Sequence, residues 1–184
     1  MRACYQSRSA LSRFVTTLTA FVVAMSNACA KDVIPMRADD NPTAASIHVL
    51  VVDDNRDFAE TLSALLGLAG YRTACVFDGD GAMAMVRLHR PLVVVTDLAM
   101  PGRNGFELLA SVRAEPACSD AFMVAVSGWG GGSMTRSARA AGFNACFMKP
   151  CEHAELMKTV AHAVYKGSIL RERAGTASAS GGTG

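Results

Sequence analysis

Asp53 and Asp54 follow the apolar run IHVLVV, Asp97 follows LVVVT, Ser127 closes AFMVAVS, and Lys149 follows NACFM directly before Pro150. Carboxylates gathered at one point repel and raise one another's pKa unless a cation joins them. An all-oxygen donor set suits Mg2+, which takes one or two carboxylates and completes its shell with waters and phosphate oxygens. Lys149 would add a compact positive charge for a phosphate oxygen, and Ser127 a hydroxyl donor. Asp97 would then be a carboxylate nucleophile, and the set is what in-line phosphoryl transfer to a carboxylate requires. Taken singly, each residue also has a plainer reading. Asp53-Asp54 suits a helix N-terminus, Ser127 a turn and Lys149 a solvated surface.

What makes the set plausible is the chain that would position it. The runs are Ile47 to Val52, Tyr71 to Phe77, Leu92 to Thr96, Ala121 to Ser127 and Asn144 to Met148. They start roughly every 20 to 30 residues, the length of a βα unit. The first, third and fourth are almost continuously aliphatic, as parallel strands covered on both faces must be. Amphipathic stretches fill the gaps: Phe58, Leu62, Leu65 and Ala69; Ala82, Met85, Val86 and His89; Phe106, Leu109 and Ala110; Met134, Ala138 and Ala141; and Leu156, Val160, Ala163 and Val164. Gly70 and Gly142 end two of them, and Pro91 and Pro116 follow two others. The pattern predicts a (βα)5 doubly wound α/β fold with a parallel five-stranded sheet. In such sheets ligands bind at the carboxyl ends of the strands, where four of the five runs deliver a polar group.

VLVVDDN (Val49 to Asn55), TDLAMPGRNGFELL (Thr96 to Leu109), VAVSG (Val124 to Gly128) and FMKP (Phe147 to Pro150) together resemble the receiver domain of two-component response regulators. The resemblance covers about Ile47 to Lys166. It implies the CheY-like, flavodoxin-like strand order 2-1-3-4-5; a stand-alone receiver is the expectation from the absence of a second domain pattern after Lys166. The resemblance implies that Asp97 is the phosphoacceptor. Asp54 and Asp97 would bind Mg2+, Asp53 would act mainly through water, and the backbone carbonyl of Ala99 would complete the protein ligands. Lys149 would contact the phosphoryl group across a Lys149-Pro150 bond that the family holds cis, and Ser127 would be the switch hydroxyl. The implied partners are a sensor histidine kinase or histidine phosphotransfer protein and a downstream protein target. One position departs from the family: Cys146 stands where an aromatic switch residue is usual, so its role is absent or displaced to Phe143 or Phe147.

Composition narrows the alternatives. A hydrophobic fraction of 51% and a charged fraction of 18% describe a globular chain rather than a disordered one. A net charge of +2 with no basic block gives direct nucleic-acid binding no electrostatic support. The six cysteines form no CxxC and no zinc spacing, and read as small hydrophobes in a reducing compartment. Gly128-Trp129-Gly130-Gly131-Gly132 lacks both GxGxxG and a GKS/T ending, so it predicts a flexible connection rather than a phosphate loop.

Both ends of the chain differ from its middle. Arg2, Arg8 and Arg13 precede the apolar stretch Phe14 to Met25, and Ala28-Cys29-Ala30 follows, which is the layout of a secretory signal. The stretch is short for a membrane span. A receiver needs intracellular phosphodonors, so a true start at Met36 and a cytoplasmic protein are the favoured expectation. Residues 1–46 are then a non-domain leader, 47–166 the receiver domain, and 167–184, rich in Gly, Ser, Ala and Thr, a disordered tail. The rivals are a phosphorylation-independent receiver-fold binding module and an acyl-phosphate phosphohydrolase, for which the chain has no cap to spare. The leading reading is not an enzyme: the protein is expected to catalyse at most its own phosphorylation and dephosphorylation.

Overall fold

The computed structural model describes residues 47–128 and 131–179. Expectations for residues 1–46, for Trp129 and for residues 180–184 lie outside them. The strands are β1 Val49–Val52, β2 Thr73–Val76, β3 Val93–Asp97, β4 Phe122–Ser127 and β5 Ala145–Met148. Between and after them run α1 Arg56–Leu68, α2 Gly79–His89, α3 Gly105–Ala114, α4 Gly131–Ala141 and α5 His153–Ala179. All strand pairs are parallel, in the order β2-β1-β3-β4-β5. The expected doubly wound sheet and its strand order are both present.

Every residue of β1 and β3 is buried, because helices cover both faces. Side chains alternate between two cores. Leu50, Val52, Val94 and Met123 point into one with Val86, Leu108 and Val112, and Val49, Val51, Val93 and Val95 into the other with Leu62, Leu66, Leu156 and Val160. Each such side chain contributes about 1.5–3 kcal/mol by leaving water, less the entropy of ordering it.

The helix ends follow local chemistry. Asn55 caps α1 by accepting from the Phe58 N–H, and Asp78 caps α2 by accepting from Gly81. Asn104 and Glu107 form a full capping box on α3. Gly70, at φ 93°, turns the chain out of α1, with Tyr71 N–H donating back to Leu66.

Some sequence expectations shift. The buried stripe of α1 is Ala59, Leu62 and Leu66, with Ala69 exposed; that of α3 is Leu108, Leu109 and Val112, with Ala110 exposed. Gly131 and Gly132 belong to α4 rather than to a connecting loop. Most notably, α5 runs on through Ala179, so residues 167–179 are helical where composition predicts disorder. Gly167 permits a close approach, since a Cβ there would lie 2.9 Å from Leu92 Cδ2. One turn later, the Arg171 guanidinium donates to the carbonyls of Arg90 and Pro91. Among the described residues, no helix is long and apolar enough to cross a membrane.

His48, just before β1, is buried and neutral. Its Nδ1 accepts from the Arg72 N–H at 3.2 Å, while Nε2 finds no partner. Burial first, and Arg72 second, lower its pKa from 6.5 to about 4. The unfolded chain therefore binds this proton between those values while the folded chain resists it. The stability that neutral His48 confers is complete above pH 6.5 and is lost as pH falls toward 4, by up to about 3 kcal/mol. Urea unfolding across that window should show the loss in the wild type, and His48→Leu should flatten that part of the pH profile.

Candidate functional site

Parallel strands present their carboxyl ends on one edge of the sheet, and the five anticipated residues meet there. Asp53 follows β1 and is 1% exposed; Asp97 ends β3 and Ser127 ends β4, both buried. Asp54 is exposed beside them. Lys149 follows β5, its N–H donating to the Ser127 carbonyl at 2.8 Å, and the Lys149-Pro150 bond is cis.

Lys149 Nζ lies 2.5 Å from Asp53 Oδ2 and 3.7 Å from Asp97 Oδ1. Asp53 Oδ1 accepts from the Asn55 N–H at 3.0 Å, so both oxygens of this buried carboxylate are engaged. Asp97 differs, for its Oδ1 is buried and accepts no hydrogen bond. Burial pushes the Asp97 carboxyl above the usual range; Lys149 opposes this, Asp53 adds to it, and the Leu98 and Ala99 N–H groups oppose it weakly. One oxygen each from Asp53, Asp54 and Asp97 falls within 4.8 Å of the others, a group that could hold a metal ion. A hard, oxygen-seeking cation fits this donor set, since three carboxylates offer it oxygens and it would offset their clustered charge.

The loop after Asp97 is held from beneath. Gly105 opens α3 so close to it that a Cβ would overlap the Asp97 carbonyl oxygen and lie 3.0 Å from Leu98 Cα. Gly105→Ala should cost about 2 kcal/mol, since backbone must move to admit the methyl. A lowered denaturation midpoint at unchanged m-value would check this. Ala99 is exposed on the same loop.

Cys146 sits half-buried on β5. With Ser127, Leu98, Met134 and Ala138 it lines a cavity of about 10 Å³, and burial raises its thiol pKa. Phe147 reaches the same cavity, whereas Phe143 is buried edge-on against Phe106, with centroids 5.8 Å apart. Sequence reasoning missed two positions that shape the site, Gly105 and Phe58. The N-G dipeptide reads as a helix start without showing what lies above it, and helical spacing assigns Phe58 to a core stripe. Its ring does pack against that core, and it also lies 4.5 Å from Lys149 Nζ.

A parallel sheet in this order is that of the flavodoxin-like α/β class, and here an acidic cluster and a lysine sit at its carboxyl edge. The family profile described as "Response regulator receiver domain" matches residues 49–161, and the chain belongs to that family. It is similar to a 14.6 kDa protein of the sodA1 3' region of Leptolyngbya boryana. They share 30% identity over 118 residues, which are 64% of this chain and 90% of that protein. It also resembles the DNA-binding response regulator MtrA of Mycobacterium tuberculosis, at 42% identity over 68 residues. That match covers 37% of this chain and 30% of MtrA, so the chain spans under a third of that relative's length. Among solved structures it resembles the chemotaxis response regulator CheY4 of Vibrio cholerae (TM-score 0.59, 26% identity, 65% of this chain and 99% of that one). A response regulator of Chloroflexus aurantiacus is equally similar (TM-score 0.61, 27% identity, 66% and 99%). Receiver domains of this family bind Mg2+ at an acidic pocket and are phosphorylated by histidine kinases.

Proposed function

We propose that this chain is a phosphoryl-accepting receiver of a two-component phosphorelay, modified on Asp97. The observation that carries the proposal is Asp97 Oδ1, a buried carboxylate oxygen with no hydrogen-bond donor, 3.7 Å from an ammonium. A nucleophile needs an uncommitted lone pair, and this oxygen has one. The carboxylates of Asp53, Asp54 and Asp97 with the Ala99 carbonyl would hold Mg2+, which when bound neutralises charge on the transferring phosphoryl group.

The chain's own residues divide the remaining work. Asp97 Oδ1 forms the new P–O bond as the phosphorus–nitrogen bond to a donor histidine breaks, and the departing imidazole takes its proton from solvent. Lys149, already 2.5 Å from Asp53, turns its ammonium toward the arriving phosphoryl oxygens. Ser127 donates its hydroxyl to the product, which carries about −1.5 to −2 charge. Movement of Ser127 at the end of β4 changes a protein-binding face. The cytoplasm is where such donors are supplied. The chain catalyses at most its own phosphorylation and dephosphorylation.

A phosphorylation-independent binding role is the second reading, and Cys146 favours it, because no aromatic occupies that switch position. Partner binding unchanged by phosphodonor would support that reading. The direct test is incubation with phosphoramidate, with and without Mg2+. Mg2+-dependent phosphoryl incorporation is expected, and incorporation that persists in Asp97→Asn would sink the proposal.

A further inference from the structure

The Lys149 ammonium has three neighbours, and the two carboxylates account for only two. The third is the Phe58 ring, whose centroid lies 4.5 Å from Nζ. A cation within about 6 Å of an aromatic face is attracted by the ring's quadrupole, more strongly where water is excluded. Lys149 is 23% exposed and Asp53 1%, so the contact is partly shielded from water. The ring is placed by the start of α1, where the Phe58 N–H donates to the Asn55 cap at 3.1 Å. That cap follows directly on the acidic pair. The residues that gather carboxylates after β1 therefore also set an aromatic face over the lysine that follows β5.

We propose that Phe58 is a positioning residue whose ring face holds the Lys149 ammonium against Asp53 and short of full contact with Asp97. The distances are unequal in that sense, 2.5 Å to Asp53 Oδ2 and 3.7 Å to Asp97 Oδ1. An ammonium without the ring has two poorer places to go. It can close on Asp97 and cover the nucleophilic oxygen, or swing outward and leave the incoming phosphoryl group without its cation. Either slows transfer. Phe58 touches no reacting atom and acts through Lys149, so the consequence for rate rests on the receiver reading of the site. The contact itself does not.

The test uses the full Mg2+-loaded chain, 15N-labelled at lysine, with the Lys149 side-chain signal assigned from Lys149→Arg. Phenylalanine at position 58 is replaced by analogues with one, two and three ring fluorines, which weaken the cation-binding face while keeping the shape. Phe58→Leu removes the face and Phe58→Tyr keeps it. The Lys149 signal is expected to move stepwise with fluorination. The rate of phosphoryl transfer from phosphoramidate to Asp97 should fall in step, reaching about threefold to tenfold in Phe58→Leu and recovering in Phe58→Tyr. A Lys149 signal indifferent to the whole series overturns the proposal. So does a stepping signal with an unchanged rate in a wild type that accepts the phosphoryl group. If the signal steps but the wild type accepts no phosphoryl group, the ring contact stands and the receiver reading is what fails.

Discussion

Asp97→Asn should abolish phosphoryl incorporation and, in the same protein without metal, raise stability by about 1–2 kcal/mol. The two effects share a cause. Asp97 is 7% exposed, and its Oδ1 has no hydrogen-bond donor. Burial and the neighbouring Asp53 push its carboxyl pKa upward, with Lys149 offsetting only part of this. The ionised carboxylate is thus a net cost to the folded state at neutral pH, and a neutral side chain of the same shape removes that cost. Lys149 keeps its closer partner, Asp53. Thermal unfolding in chelator should show the variant melting a few degrees higher. Added Mg2+ should then raise the melting temperature of the wild type more than that of the variant, because a ligand of the folded state stabilises in proportion to its affinity. A variant that melts lower in chelator would mean that Asp97 contributes to the fold rather than straining it.

Lys149→Met is the converse case, losing both function and stability. Methionine keeps most of the apolar stem but removes the charge, leaving Asp53 buried beside two other carboxylates without its ion pair. Removing one partner of a buried pair costs about 3–5 kcal/mol, and the partial exposure of Lys149 places this variant near the lower end. Phosphoryl transfer should slow by about 100-fold or more, as when a preorganised charge is withdrawn from a developing anion. Pairing Lys149→Met with Asp53→Asn separates the two losses. The double variant should recover much of the stability, giving a clear coupling energy in a double-mutant cycle. Its rate should stay low.

The residues gathered at this sheet edge were legible because each ends a strand or closely follows one. A strand buried on both faces must be continuously apolar, so the first polar residue after Val52 or Thr96 marks the sheet edge without knowledge of any contact. Helix faces were legible only to within a residue. Spacing of three and four selects Leu65 and Leu66 almost equally, and only packing against Val49 and Val51 settles on Leu66. The continuation of α5 was illegible for a different reason. Its described tethers join Arg171 to the carbonyls of Arg90 and Pro91, far away in sequence, where Arg90 adopts a left-handed φ of 47°. A Gly- and Ala-rich composition carries no trace of that partner. Phe58 and Gly105 read correctly as helix, but a further neighbour of each lies on another element and leaves no local trace.

Cys146 remains the point where this chain departs from the pattern its site otherwise follows. The small cavity beside Ser127 is lined by both Cys146 and Phe147.

The central claim is that a phosphoryl group is bonded to one carboxylate, and borohydride trapping reads that bond directly. Reduction of the phosphorylated protein, followed by peptide mass spectrometry, converts only an acyl phosphate to an alcohol. The predicted result is homoserine at position 97, dependent on phosphoramidate and Mg2+. Homoserine at position 53 or 54 instead, or an unreduced Asp97 in protein that carries phosphoryl groups, would contradict it.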